Sequence, residues 1–190
     1  LAAVYLRRQL PSKALEVLEP LQEMNAGQAQ LWALYARAFL QMRYLDKSLS
    51  CAQKAIQLEP GSGEYCLLAA QIARESENLK LALNFGVQAF SLEKNSLPIT
   101  QFLSQIYTEN GDYDKALKVI EQSSPAVQQT TLALHARAWL IRNIHGAAVA
   151  LPLLDEIIER EPRNIEVIEM KAEFLLETGD LKNAEKTAIE

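Results

Sequence analysis

The chain has 190 residues, 49% hydrophobic and 23% charged, with seven glycines and seven prolines, a make-up that excludes a disordered or loop-dominated chain. A formal net charge of −5 argues against a nucleic-acid binder, which needs clustered positive charge, and no apolar stretch approaches the ~20 residues of a membrane-spanning helix. Cys51 and Cys66 are the two cysteines, too few for a disulfide framework or a four-thiolate zinc site, and both read as small core residues.

The organisation is repetitive. "LWALYARAFL" at 31–40 returns as "TLALHARAWL" at 131–140, and a period of 34 residues divides the chain into repeats at roughly 1–28, 29–62, 63–96, 97–128, 129–164 and 165–190, the first and last incomplete. Apolar residues at helical spacing make each repeat two amphipathic helices joined by a turn. In the first repeat Ala2 and Ala14 are the small residues, and Pro20, inside the second helix, is expected to kink it. The second repeat runs through Leu31, Leu34, Tyr35, Ala38 and Phe39, then Leu45, Leu49, Ala52, Ala55 and Ile56, with Ala36 and Ser48 in the small places and Pro60 at its close. The third carries Ala70 and Ala82 but has Cys66, Ala73, Gly86 and Lys94 where larger residues or proline are expected, so irregular packing is expected there.

The fourth repeat has Ser104 and Ala116, with a turn "NGDYDKA" in which Gly111 supplies a positive φ and Asp112 begins the next helix. It reads as two residues short, Pro125 stopping its second helix within "SSPAVQQ". The fifth then has Ala136 and Ala150 in the small places and regains two residues in a longer turn, "RNIHGAA" at 142–148. Pro152 predicts a kink or a late helix start. The sixth has Ala172, Ala184 and a matching "TGDLKNA" turn. Short side chains let two helices approach, so Ala36 should face Ala55, and Ala136 the region of Ala150. On that register Ala136→Leu overpacks a crossing, at ~1–3 kcal/mol.

This pattern resembles the tetratricopeptide repeat (TPR) family. Trp32, Ala36, Phe39, Ser48, Ala55 and Pro60 carry the resemblance in the second repeat, and it extends over essentially the whole chain. It implies an all-α fold, a right-handed α-α superhelix of about six helix-turn-helix units forming one domain over 1–190. It further implies a concave groove, lined by first helices, that holds an extended peptide or a partner helix. First-helix places facing such a groove are Ala33, Arg37, Leu67, Gln71, Arg74, Gln101, Gln105, Ala133, Arg137, Glu169 and Glu173, with Arg37 and Arg137 in equivalent positions. Glutamine amides can both donate to and accept from a peptide backbone, and arginine can hold a carboxylate through two bonds. The Lys/Asn/Lys/Arg set of TPR domains that clamp acidic chaperone C-termini is missing: the corresponding faces offer Ala33, Arg37, Leu68, Pro98 and Phe102. Residues 29–62 carry a net charge of +2 and 165–190 a net of −4, an asymmetry that would orient an elongated charged partner.

No catalytic constellation emerges. His135 stands where Tyr35 stands and reads as a packing residue; His145 falls in a turn. The acids of "EIIEREPRNIEVIEMKAEFLLE" are spaced as a solvated helix face, and there is no glycine-rich phosphate loop or zinc-protease motif. The expected function is therefore a non-enzymatic, cofactor-free protein-interaction scaffold or adaptor. Its alternatives are a structural spacer, self-associating through uncapped ends, or an arm of an enzyme whose catalytic domain lies elsewhere. The start at Leu1 suggests a fragment of a longer chain. Unpaired cysteines favour the cytoplasm, with a bacterial envelope location as the alternative.

Overall fold

Short side chains set the helix crossings, and they recur with one unbroken period. In the computed structural model, which describes residues 1–189 apart from the side chains of residues 23, 24, 188 and 189, two compact bodies form, Leu1–Lys94 and Asn95–Glu190. The last residue of the final repeat, 190, lies outside the described residues. The first body contains α1 (Ala2–Arg7), α2 (Pro11–Leu18), a 3-10 turn (Glu19–Leu21), α3 (Gln22–Asn25), α4 (Ala29–Gln41), α5 (Leu45–Leu58), α6 (Gly63–Glu75) and α7 (Leu79–Leu92). The second contains α8 (Leu97–Glu109), α9 (Tyr113–Gln122), α10 (Pro125–Gln128), α11 (Thr131–His145), α12 (Ala147–Arg160), α13 (Ile165–Glu177) and α14 (Leu181–Ile189).

From α4 onward the first helices of the repeats begin at 29, 63, 97, 131 and 165, and the second helices at 45, 79, 113, 147 and 181. Both series keep the period of 34 throughout. The paired small residues follow it: Ala2 and Ala14, Ala36 and Ser48, Ala70 and Ala82, Ser104 and Ala116, Ala138 and Ala150, Ala172 and Ala184. All are buried except Ala172, which is half-buried. Two of the crossings contain a hydroxyl, and each is satisfied across the pair: Ser48 Oγ donates to the Ala36 carbonyl at 2.7 Å and Ser104 Oγ to the Ala116 carbonyl at 3.2 Å. The turns between paired helices use a positive φ at Gln9, Arg43, Glu77 and Gly111, spaced by 34, and at Gly179, 68 further on; the fifth turn uses Gly146, one residue off that spacing.

This register corrects the reading of the fourth and fifth repeats. The fourth is not short. Pro125 ends its second helix early, at Gln122, and then opens the separate turn α10 as its first residue, where the missing N–H is harmless; the residue count is unchanged. Nor is the fifth repeat's turn long. Helix α11 runs on through His145, and Gly146 at φ +93° alone joins it to α12. The small residue packing with Ala150 is Ala138, and both belong to one core cluster with Leu134 and Leu154. Ala136 packs instead toward Ala116 and Ile120 of α9. The near-copies at 31–40 and 131–140 are therefore two residues out of structural register, and the overpacking cost assigned to position 136 belongs to 138.

The remaining expectations divide. At Pro20 the α-helix gives way to the 3-10 turn. Pro152 sits inside α12, which starts on time at Ala147. In the third repeat Cys66, Ala73 and Gly86 are all buried, so small residues there bring α6 and α7 close rather than leave the pair loose. Burial pushes both thiols, Cys51 and Cys66, above the ordinary cysteine pKa.

Each of two repeats is also closed on itself by an acid at the end of its second helix. Glu93 Oε1 accepts from the Gly63 N–H at 2.8 Å, at the start of α6. A Cβ at Gly63 would lie 2.8 Å from the Glu93 carboxyl carbon, so a side chain there would make the Glu93 carboxylate shift. Sixty-eight residues on, Glu161 accepts from the hydroxyl of Thr131 at the start of α11.

Candidate partner-binding surfaces

In the first body, the exposed faces of three first helices line one groove of about 820 Å³. Helix α1 supplies Ala3, Leu6 and Arg7; α4 supplies Gln30, Ala33, Leu34, Arg37, Leu40 and Gln41; α6 supplies Glu64, Tyr65, Leu68 and Gln71, and Glu59 closes one end. Arg37 pairs with Glu64 at 2.7 Å, linking α4 to α6, and Gln41 Nε2 donates to the Leu6 carbonyl at 2.9 Å, linking α4 to α1. Both links are local, and the Arg37 side chain stays about half exposed, so an exposed pair of this kind holds little energy against a competing carboxylate. Burial, then the carboxylates of Glu59 and Glu64, push the Tyr65 phenol up, with Arg37 opposing. It stays a neutral donor in the groove.

Of the residues expected from sequence in this body, Ala33, Arg37 and Gln71 come together in the groove. Leu67 is buried in the body of α6 at 9% exposure, and Arg74 is half-buried near the end of the same helix.

In the second body a smaller pocket of about 360 Å³ lies between α8 and α11. Helix α8 lines it with Leu97, Thr100, Gln101, Ser104, Gln105 and Thr108; α11 with Leu132, Ala133, His135, Ala136, Trp139 and Leu140; and Ile120 of α9 forms part of the wall. Its hydroxyls are turned away from the space. Thr100 donates to the Ser96 carbonyl at 3.1 Å, Thr108 to the Ser104 carbonyl at 2.9 Å, and Ser104 to Ala116. Tyr113 meets Trp139 edge to face, with ring centroids 5.7 Å apart, and fixes the indole.

Gln101, Gln105 and Ala133 thus line one pocket, as expected residues, but Arg137 does not join them. With the period of 34, Arg37 corresponds to Trp139, and Arg137 corresponds to Tyr35, a buried ring 7% exposed. Arg137 accordingly points its stem into the protein, and its Nε is buried without a hydrogen-bond partner. Ser124 Oγ, the other such atom among the described residues, holds the place of Gln22, whose Oε1 accepts from the Tyr35 hydroxyl at 3.5 Å. Glu169 and Glu173 line a separate recess of about 480 Å³ on α13, with Ile165, Ile168, Ala172, Leu176 and Thr187. Sequence reasoning missed Leu132, Ala136 and Trp139 as pocket residues and read His135 as packing. The second-helix series Ala14 to Ala184, which never leaves the period of 34, was the signal that could have found them.

Among the described residues no group of His, Cys, Asp and Glu is placed to hold a metal ion, and no helix is long and apolar enough to cross a membrane.

The sequence matches the family model described as ChAPs (Chs5p-Arf1p-binding proteins) over residues 3–173. The chain belongs to the ChAPs family. No curated protein matches it. Solved structures place the ChAPs chain among TPR solenoids. The C-terminal part of a TPR repeat-containing protein from Cytophaga hutchinsonii superposes with a TM-score of 0.82 at 11% identity, covering 99% of this chain and 76% of that one. PilF of Pseudomonas aeruginosa gives 0.78 at 15% identity, over 100% of this chain and 84% of that one. YrrB, described as a TPR protein with an unusual peptide-binding site, gives 0.71 at 15% identity, over 90% and 88%. At such identities the likeness is one of fold. The all-α TPR solenoid expected from sequence is what this ChAPs protein has, and TPR fold and ChAPs membership together support a protein-interaction scaffold.

Proposed function

We propose that this chain is a non-catalytic scaffold that holds a segment of a partner protein against the first-helix faces of its repeats. Arg37 and Gln71 are the recognising groups in the first body, and Gln101 and Gln105 in the second. The observation that carries the reading is the groove of α1, α4 and α6, where Gln30, Gln41, Gln71, Arg7 and Arg37 face an open space above an apolar floor. Amide side chains spaced along such a floor satisfy an extended backbone at either its donors or its acceptors, and the guanidinium groups take acids. The family description makes Chs5p and Arf1p the partners to try first.

The test is calorimetric binding of purified Chs5p and Arf1p to the wild-type chain and to an Arg37→Glu, Gln71→Ala double variant. The reading expects at least one partner to bind and the double variant to bind it tenfold or more weakly. Unchanged affinity would remove the α1/α4/α6 groove from the contact, and absence of binding by either protein would remove both as partners.

A further inference from the structure

Among the described residues two buried side-chain polar atoms lack a hydrogen bond, Ser124 Oγ and Arg137 Nε, and both belong to the second body. No carboxylate among the described residues pairs with the Arg137 guanidinium either. The two residues hold the places of Gln22 and Tyr35, whose side chains meet at 3.5 Å in the first body. A cation and a hydroxyl without partners at such places are a charge-assisted contact that lacks its anion.

The chain around Ser124 offers a way to add one. Ser124 is the one serine or threonine of the sequence that a proline follows. Its backbone is extended, φ −64° and ψ 151°, as is that of Ser123, φ −70° and ψ 170°. Gln122, Pro125 and Ala126 around them are exposed. The neighbouring serine is committed elsewhere, its hydroxyl donating to the Ile120 carbonyl at 2.6 Å. Helix α10, which follows, is a single turn with one buried residue, Val127. Lifting that one side chain uncovers Ser124, a local opening that costs far less than unfolding the body.

We propose that Ser124 is a phosphorylation site for a proline-directed protein kinase and that Arg137 receives the phosphate. In the transfer Ser124 Oγ bonds to the γ-phosphorus of ATP while the bond from that phosphorus to the β,γ-bridging oxygen breaks. ADP leaves, and the hydroxyl proton passes to the catalytic base of the kinase. A phosphoserine carries about 1.5 to 2 negative charges at neutral pH and three strong acceptor oxygens, and a guanidinium binds such a group through paired N–H donors. The new contact ties the α10 turn to the middle of α11. It does not depend on the scaffold reading, since neither residue lines the groove of the first body.

The wild-type chain is incubated with ATP and a kinase of the mitogen-activated class, which demands a proline after the serine, and the phosphate is located by mass spectrometry. The expected result is one phosphate on Ser124, none in Ser124→Ala, an unchanged rate in Ser123→Ala and a rate at least tenfold lower in Pro125→Ala. Absence of phosphate on Ser124, or a rate indifferent to Pro125, overturns the site. The phosphorus resonance of the phosphorylated chain is then followed against pH. Beside Arg137 the second phosphate pKa should fall below the value of about 6 usual for phosphoserine. Arg137→Met, which keeps the stem and removes the charge, should bring it back up, and Arg137→Gln serves the same end if the first variant fails to fold. The same titration in a folded variant as in wild type overturns Arg137 as the receiving group.

Discussion

Ser48 gives its hydroxyl proton to the Ala36 carbonyl across the tightest part of the α4/α5 crossing, and both residues are fully buried. Two repeats later the same crossing is inverted, with Ser104 on the first helix donating to Ala116 on the second. The Ala36 carbonyl also belongs to the α4 ladder, so Ser48→Ala removes one neutral bond without orphaning the acceptor and should cost about 1 kcal/mol. Ser48→Val adds bulk where the helices touch and should cost about 1–3 kcal/mol. Urea midpoints of the two variants, compared at equal m-value, check the order.

Positions 136 and 138 separate the two possible registers of the fifth repeat. Ala138→Leu drives a branched side chain into the contact with Ala150 and should destabilise by about 1–3 kcal/mol. Ala136→Leu grows into the α8/α11 pocket, covers apolar wall, and should raise the thermal midpoint. If 136 proved the costly position and 138 the tolerant one, the crossing would lie where the near-identical decapeptides put it.

Arg137 occupies a tyrosine's place with a buried, unpartnered Nε. Arg137→Tyr together with Ser124→Gln rebuilds the Tyr35–Gln22 arrangement and removes both orphaned polar atoms, so the double variant should gain about 1–3 kcal/mol. Arg137→Glu should lower stability while leaving partner affinity per folded molecule unchanged. Chemical denaturation and calorimetric titration, run on the same samples, distinguish these outcomes.

Glu77 holds a left-handed conformation, φ +57°, in the turn between α6 and α7. An L side chain there costs roughly 1–2 kcal/mol, part of which glycine returns as unfolded-state entropy. Glu77→Gly should therefore stabilise by about 0.5–1 kcal/mol, read as a higher melting temperature with an unchanged helical spectrum.

Among the described residues, three carboxylates titrate below their ordinary range in the folded chain. Glu161 is held down by the Thr131 and Asn164 hydrogen bonds, Glu177 by Arg142, and Asp112 by Lys115 and Asn110. A lowered folded pKa means that the unfolded chain binds protons first as pH falls. The stability these groups contribute is complete at neutral pH and is lost as pH drops below about 4 through the folded values. Glu161→Gln with Glu177→Gln should flatten that acid-side decline, measured as the slope of melting temperature against pH between neutral and acid conditions.

The helix pairs, their turns and the small residues at most crossings could be read from the sequence because packing against a neighbour demands them at each period. The fifth repeat misleads because six matching letters in ten outweigh the spacing. Each residue advances a helix by about 100°, so an error of two places rotates the assignment by about 200°. That rotation puts Arg137 in the groove, while its stem lies in the protein with the Nε buried. The pocket itself has no motif, since its lining mixes small residues such as Ala133 and Ala136 with large ones such as Leu97 and Trp139, and which of them share a space cannot be read without the correct register.

The open α8/α11 seam also bears on how the second body comes apart. In a linear array, stability is the sum of each repeat's own free energy and its coupling to the next. Here the fourth repeat meets the fifth chiefly through Ala116 and Ile120 of α9 against Ala133 and Leu140, while the first-helix contact found between α4 and α6 has been pared away. The coupling constant is smallest at that junction, so the unfolding of the second body is expected to lose its all-or-none character there, with amides of α8 and α9 exchanging with solvent ahead of those in α11 and α12.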